Sequence, residues 1–160
     1  MINENGRQFD EKLFTVSKDV EFCETDMAGI AHYSNAFRYV EYAETRFFQN
    51  GGMSICDPLY KWPILSTKCD FLRPMLFGDK IHIALNVARI GKKSITLNFL
   101  LYKESEDRTK EPVSKGQLTV ICAQSSAKSK RIETVEVPGY FKDYLLEYLA
   151  EPARDMAPAN

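Results

Sequence analysis

The sequence predicts an α+β fold, a curled antiparallel β-sheet wrapped around one long central α-helix. Two observations carry the prediction. Ala36, Tyr39, Val40, Ala43 and Phe47 recur at spacings of three and four, which draws one apolar stripe down a helix. Downstream, most of the chain alternates apolar and polar residues, the period of a strand. A lone helix with one apolar stripe must bury it, and the largest apolar surface on offer is one face of that sheet. Element order alone is shared with other α+β folds.

Each element can be justified in turn. Residues 14–22 alternate loosely and read as a first strand. A loop over 23–30 follows, and Ser34 or Asn35 can cap the helix. Arg38, Glu41, Glu44 and Arg46 lie mostly off the apolar stripe. Asn50-Gly51-Gly52 supplies the stop, because glycine accepts the left-handed conformation that closes a helix. After Pro58 and Pro63, residues 64–71 form a strand ending near Pro74. Ile81, Ile83, Leu85 and Val87 alternate with polar or small residues, as do Ile95, Leu97, Phe99 and Leu101. Gly91-Lys92-Lys93 between them reads as a hairpin turn. Residues 104–112 are a charged turn, 113–123 a further strand, and 135–137 an extension of the edge. Residues 140–150 suit a short amphipathic helix.

The length of 160 residues suits a single domain spanning 1–160, with 1–12 and 151–160 expected to be flexible. A hydrophobic fraction of 44% is enough for a core. The 21 basic and 22 acidic residues leave a net charge of −1, which argues against a dedicated nucleic-acid binder. No apolar run is long enough to span a bilayer, and the polar first dozen residues lack the apolar core of a signal peptide. The four cysteines, Cys23, Cys56, Cys69 and Cys122, show no C-x-x-C pair and no zinc spacing. They are expected to be reduced thiols in a cytoplasmic protein, several of them buried as small apolar residues. Two histidines, His32 and His82, leave no room for a histidine-rich metal site.

The informative stretch runs from Phe22 to Asn35, FCETDMAGIAHYSN. Asp26 is followed by Ala28-Gly29-Ile30, then by the aromatic Tyr33 and by Asn35. This closely resembles the active-site segment of the 4-hydroxybenzoyl-CoA thioesterase family. The likeness continues in Pro63-Ile64-Leu65-Ser66, in Lys92-Lys93-Ser94 and in Glu136-Val137-Pro138. It implies a hot-dog fold, hydrolysis of an acyl-CoA to a free acid and coenzyme A, and no metal or other cofactor. It also implies dimers joined edge to edge, often paired into homotetramers, with sites between subunits.

The chemistry fits the residues. A thioester needs an attacking oxygen and a donor for the negative charge that develops on its carbonyl. Asp26 can attack directly, through a mixed anhydride, or act as general base for water. The start of a helix presents unpaired N–H groups and a positive dipole end. By analogy with the family, the Tyr33 N–H polarises the carbonyl. Gly29 lets the loop backbone pass close to the substrate. A loop aspartate without this frame would read as a turn residue or cap.

Further substrate contacts are candidates of lower specificity. Glu41, two turns into the helix, lies near the acyl pocket in the family, against the alternative of a solvated carboxylate. Thr67 can reach the thioester from the partner subunit, or serve only β-propensity. Lys92, Lys93 and Ser94 in the hairpin, and Lys130 and Arg131 beside Lys128, can hold the phosphates of coenzyme A or form ordinary soluble turns. His32 is either a packing residue or a substrate contact. His82 reads as a surface residue, and a Cys23–His32 dyad is a remote alternative to Asp26. A non-catalytic module binding acyl-CoA or an acyl carrier protein is the competing function. An aryl, short or fatty acyl group all remain compatible.

Overall fold

The structure, a computed structural model, describes residues 12–54, 56–105, 107–125 and 131–151. Lys128 and Lys130 lie outside the described residues, as do most of the two terminal segments. Lys12 Nζ pairs with Glu147 Oε2 at 2.5 Å and stands 4.5 Å over the Tyr148 ring.

The long helix α1 spans Ser34–Asn50. Every residue of the predicted stripe is buried: Ala36, Tyr39, Val40, Ala43 and Phe47 are at most 3% exposed. Gly52, at φ +81°, takes the left-handed conformation at its end, while Gly51 stays at φ −85°. Gly51 is needed for another reason, since a Cβ there would overlap the Tyr144 ring and come within 2.8 Å of Phe141.

Five strands form the main sheet: β1 (Phe14–Asp19), β3 (Ile64–Phe71), β4 (Lys80–Ile90), β5 (Ser94–Glu104) and β6 (Lys110–Ile121). Their order is β1-β4-β5-β6-β3, antiparallel throughout. A smaller sheet, β2-β7-β8, joins β2 (Tyr60–Lys61), β7 (Ala123–Ser125) and β8 (Ile132–Thr134). Helix α2 (Gly139–Leu146) buries Phe141 and Leu145. Its aromatic rings meet α1 through Phe48–Phe141 at 5.0 Å and Phe47–Tyr144 at 5.1 Å.

The α1 stripe shares one core with Ile81, Ile83, Leu85, Ile95, Leu97, Phe99 and Leu101. The other face carries a polar ladder: Asn98 Nδ2 donates to Asn86 Oδ1 at 2.9 Å, and Gln117 Nε2 to Asn98 Oδ1 at 2.8 Å. Cross-strand amide pairs of this kind tie β4, β5 and β6. Strand β3 pairs with β6 on one side, and its other edge is unpaired among the described strands. Most of its residues are exposed, including Ile64, Leu65 and Phe71.

Several boundaries depart from expectation. The first strand ends at Asp19, and Phe22 opens a single 3-10 turn (Phe22–Glu24) that redirects the chain. The expected strand over 113–123 divides at Cys122, whose N–H donates to Lys93 O at 2.8 Å and so leaves the main ladder. The charged turn shrinks to the residues between Glu104 and Lys110. Residues 135–137 are not a strand: Val135 N–H donates to Cys122 O and Val137 N–H to Lys92 O, while the edge is formed by Ile132–Thr134. The last helix stops at Leu146. Of the four cysteines only Cys122 is fully buried; Cys23 and Cys56 are exposed. No helix among the described residues is long and apolar enough to cross a membrane.

Candidate active site

The segment between β1 and α1 folds into a miniature hairpin. His32 N–H donates to Glu24 O at 2.9 Å, Thr25 bridges Ala31, and Asp26 N–H donates to Ile30 O at 2.9 Å. Its outgoing arm is docked on the chain before β4, where Ala31 N–H donates to Met75 O at 2.8 Å. At the tip, Gly29 N–H closes a turn onto Asp26 O at 3.0 Å, with Gly29 at φ +76°. A side chain at Gly29 would meet nothing within the protomer, so the left-handed φ is what glycine supplies there.

Asp26 is exposed at this tip. One carboxylate oxygen, Oδ1, accepts the Ala28 N–H at 2.8 Å, which orients the side chain. Tyr33 occupies the position before α1 in helical conformation, at φ −53° and ψ −30°. Its N–H has no acceptor among the described residues. Tip and helix start therefore place a carboxylate and an unsatisfied donor on the same small hairpin.

The helix start differs from the expected cap. Neither Ser34 nor Asn35 caps α1 through its side chain. Ser34 Oγ lies 2.8 Å from His32 Nδ1, and the Ser34 N–H donates to the same nitrogen at 3.3 Å. A ring nitrogen that accepts from the backbone carries no hydrogen, which assigns Nδ1 as the acceptor and leaves Nε2 as the donor. His32 thus organises the helix start, with its ring 4.3 Å from that of Tyr33. Cys23 lies beside Glu21, Sγ to Oε2 at 3.7 Å, and not beside His32.

Asn35, 8% exposed, turns its Nδ2 to Glu24 O at 2.8 Å. The Glu24 carboxylate accepts the Tyr39 hydroxyl at 2.5 Å on Oε2 and the Lys18 ammonium at 2.9 Å on Oε1. Burial alone would raise the Glu24 carboxyl; the bonds from Tyr39, the Glu21 N–H and Lys18 outweigh it and hold the group below its ordinary value. Sequence reading missed Glu24, Lys18 and Tyr39. The available signal was a tyrosine inside an apolar stripe, where its hydroxyl requires a partner.

A second face of α1 leads away from Tyr33. Tyr33, Phe37, Glu41 and Glu44 fall within a quarter-turn or so of one another at 3.6 residues per turn. Tyr33 and Phe37 each meet Phe71 of β3 edge-on, with ring centroids 6.4 Å apart. Alternation puts Cys69 and Thr67 on the same side of β3 as Phe71. Thr67 is exposed and its Oγ1 donates to Gln117 O at 3.2 Å. Glu41 is exposed, and Glu44 is half-buried one turn further.

Burial, reinforced by the Glu41 charge, pushes the Glu44 carboxyl from 4.5 up to about 7. A raised acid pKa means that the folded state holds the proton more tightly, so stability falls as pH rises from 4.5 to 7. Glu44→Gln removes that penalty. Denaturant unfolding should show variant and wild type alike below pH 4.5 and the variant more stable by roughly 3 kcal/mol above pH 7.

The basic hairpin lies elsewhere. The Asp26 hairpin sits at the Lys80 end of β4, since Val20 N–H donates to Asp79 O at 2.9 Å. Lys92, Lys93 and Ser94 follow the opposite end, ~30 Å of strand away within one protomer. Lys92 Nζ pairs with Glu136 Oε1 at 3.0 Å, and Lys93 Nζ donates to Thr134 O at 3.3 Å. Ser94 O accepts the Gly91 N–H at 2.8 Å, closing the turn, and Arg131 borders β8. Lys92 and Glu136 line a cleft with Ile90, Gly91, Lys142 and Leu146. His82 is half-buried, its ring stacked 5.1 Å from Tyr102.

Comparison with known proteins places this arrangement. The thioesterase-like superfamily matches residues 20–145. A 1,4-dihydroxy-2-naphthoyl-CoA hydrolase of Nostoc punctiforme is 27% identical over 151 residues, covering 92% of this chain and 93% of that protein. Among solved structures, the dynemicin thioesterase superposes with a TM-score of 0.79 at 17% identity, over 88% of this chain and 100% of that one. The 4-hydroxybenzoyl-CoA thioesterase of a Pseudomonas species superposes with a TM-score of 0.72 at 19% identity, over 82% and 98%. The helix-in-sheet architecture and a family match that begins just after β1 and ends within α2 agree, and the chain belongs to the thioesterase-like superfamily, as an enzyme of the hot-dog fold whose class of reaction is thioester hydrolysis.

Proposed function

We propose that the protein hydrolyses acyl-CoA thioesters to the free acid and coenzyme A, with Asp26 and the Tyr33 N–H as its catalytic groups. One observation carries the reading: a carboxylate and an unsatisfied backbone donor share one hairpin at the positive end of a 17-residue helix. In one route the Asp26 carboxylate attacks the carbonyl carbon, the C–S bond breaks, coenzyme A leaves as the thiolate and takes a proton from water, and a water then cleaves the anhydride to the free acid and the Asp26 carboxylate. In the other, Asp26 takes a proton from water as the water attacks, and the same bond breaks. Either route places negative charge on the carbonyl oxygen, where one preorganised N–H contributes about 3 kcal/mol. A single turnover in isotopically labelled water that leaves the label in the Asp26 carboxylate marks the anhydride route, opened by water at the Asp26 carbon, because the general-base route labels the released acid and never Asp26.

The acyl group lies along Tyr33, Phe37 and Phe71, toward Glu41. Glu41 is eight residues beyond Tyr33, ~12 Å along the axis, and helical side chains lean back toward the N-terminus. A flat aryl or short alkyl acyl group fits this strip, with Glu41 available to a polar end.

The working unit is a dimer formed through the free edge of β3. A two-fold axis runs paired edge strands antiparallel, so the Ile64 end of one β3 lies beside the Phe71 end of the other. Since Phe71 touches Tyr33, the partner's Ile64 end approaches the Asp26 hairpin. That end carries the basic hairpin with it, through Ile121 N–H to Pro63 O and Cys122 N–H to Lys93 O. Lys92, Lys93 and Arg131 then serve coenzyme A across the interface, and Thr67 near the middle of β3 faces the neighbouring site.

Thiol release from benzoyl-, hydroxybenzoyl-, hexanoyl- and palmitoyl-CoA tests the reaction. Tight acyl-CoA binding without release would support a binding module instead. Lys92→Ala should weaken coenzyme A binding by about tenfold at low salt and flatten its salt dependence. An unchanged Kd at every salt concentration removes Lys92 from the site.

A further inference from the structure

We infer that Glu24 is a positioning residue, a clamp anchored on Tyr39 and Lys18 that fixes the Asp26 hairpin against the first turn of α1. The inference rests on the catalytic reading above and adds to it the group that sets the geometry.

The backbone carbonyl of Glu24 receives two donors from different elements, the His32 N–H at 2.9 Å and the Asn35 Nδ2 at 2.8 Å. One oxygen thereby ties the foot of the hairpin to the helix. The side chain ties the same residue to the core. Its Oε2 accepts the Tyr39 hydroxyl at 2.5 Å and the Glu21 N–H at 2.8 Å, and its Oε1 accepts Lys18 Nζ at 2.9 Å. Tyr39 is wholly buried and Asn35 nearly so. The Lys18 ammonium also lies 5.0 Å over the Tyr39 ring.

Packing does not require these polar groups. Phenylalanine would fill the Tyr39 site, and an apolar residue would fill that of Asn35. A carboxylate whose side chain is only 14% exposed is costly unless its lone pairs are taken, and here three donors take them. Saturated in this way, Glu24 is no competing base beside Asp26 two residues on. What the network does achieve is a fixed spacing between the tip that bears Asp26 and the Tyr33 N–H. Misplacement of reacting groups by an ångström can cost about a hundredfold in rate.

Tyr39→Phe and Glu24→Gln test the clamp by two readouts. Amide hydrogen exchange at His32 and Asp26 should quicken by about tenfold or more in both variants, with β4 and β5 amides unchanged. With an acyl-CoA that wild type turns over, kcat should fall by roughly 10–100-fold while KM stays within about twofold. Glu24→Gln leaves core packing untouched, so the same result in both variants excludes a general loosening around Tyr39. Unchanged exchange at His32 and Asp26 overturns the clamp. So does acceleration across β4 and β5 in both variants, or faster hairpin exchange with unchanged kcat. If wild type releases no thiol from any acyl-CoA, the functional reading fails, while exchange at the hairpin still decides whether Glu24 holds it.

Discussion

Asp26→Asn is expected to lower kcat for thioester hydrolysis by roughly 10²–10⁴-fold, with the fold and acyl-CoA affinity retained. The structure makes this a clean substitution. Asp26 is exposed, and the bond it accepts within the protomer comes from the Ala28 N–H. The amide oxygen of asparagine can accept the same bond, so the turn persists. What is lost is the negative charge, and with it both the nucleophile and the base. Asp26→Ala should lose activity to a similar degree and loosen the tip as well. Thiol release measures the rate, and circular dichroism together with acyl-CoA binding checks that the site is intact. An Asp26→Ala enzyme as active as wild type would move the chemistry elsewhere.

Gly116→Ala should cost about 3 kcal/mol or more of stability, the largest effect expected of a single added methyl group here. Gly116 stands opposite Cys69 of β3 and Phe99 of β5. A Cβ at this position would overlap the Lys68 carbonyl oxygen and lie 2.5 Å from Phe99 Cζ. Phe99 is only 3% exposed and cannot swing aside without opening the core. The strain therefore falls on the β3–β6 pairing. Denaturant unfolding would show a lower midpoint, and exchange should accelerate first in β3. A midpoint within experimental error of wild type would mean that β3 shifts freely, contrary to its place in the sheet.

The two substitutions illustrate what could be read from the chain and what could not. The α1 stripe and the alternation of β4 and β5 were legible because burial imposes a period on the sequence. Ile81, Ile83 and Leu85, and Ile95, Leu97, Phe99 and Leu101, are all buried as their spacing implies. Strand β8 was not legible: Ile132, Glu133 and Thr134 are all exposed, so no pattern marks them. Residues 135–137 looked like strand, yet their backbone donors go to Cys122 and Lys92 in separate segments. At the candidate site, FCETDMAGIAHYSN made a loop carboxylate and the start of the helix at Ser34 legible. It did not announce that His32 would organise that start or that Glu24 would brace it, since both roles depend on which groups the hairpin folds together. Nor could spacing reveal that Lys92 and Asp26 stand at opposite ends of β4.

The open edge of β3 bears on how any of these measurements should be made. If folding of that strand is completed by a second copy, unfolding and dissociation are one equilibrium, and mass action enters the apparent stability. The same preparation will then melt at a higher temperature when concentrated than when dilute. A substitution on β3 could look harmless in a concentrated sample and severe in a kinetic assay run with far less protein. Activity per molecule and melting temperature would rise together along a dilution series read backwards, a link between catalysis and copy number that originates in one row of backbone groups that no described strand pairs.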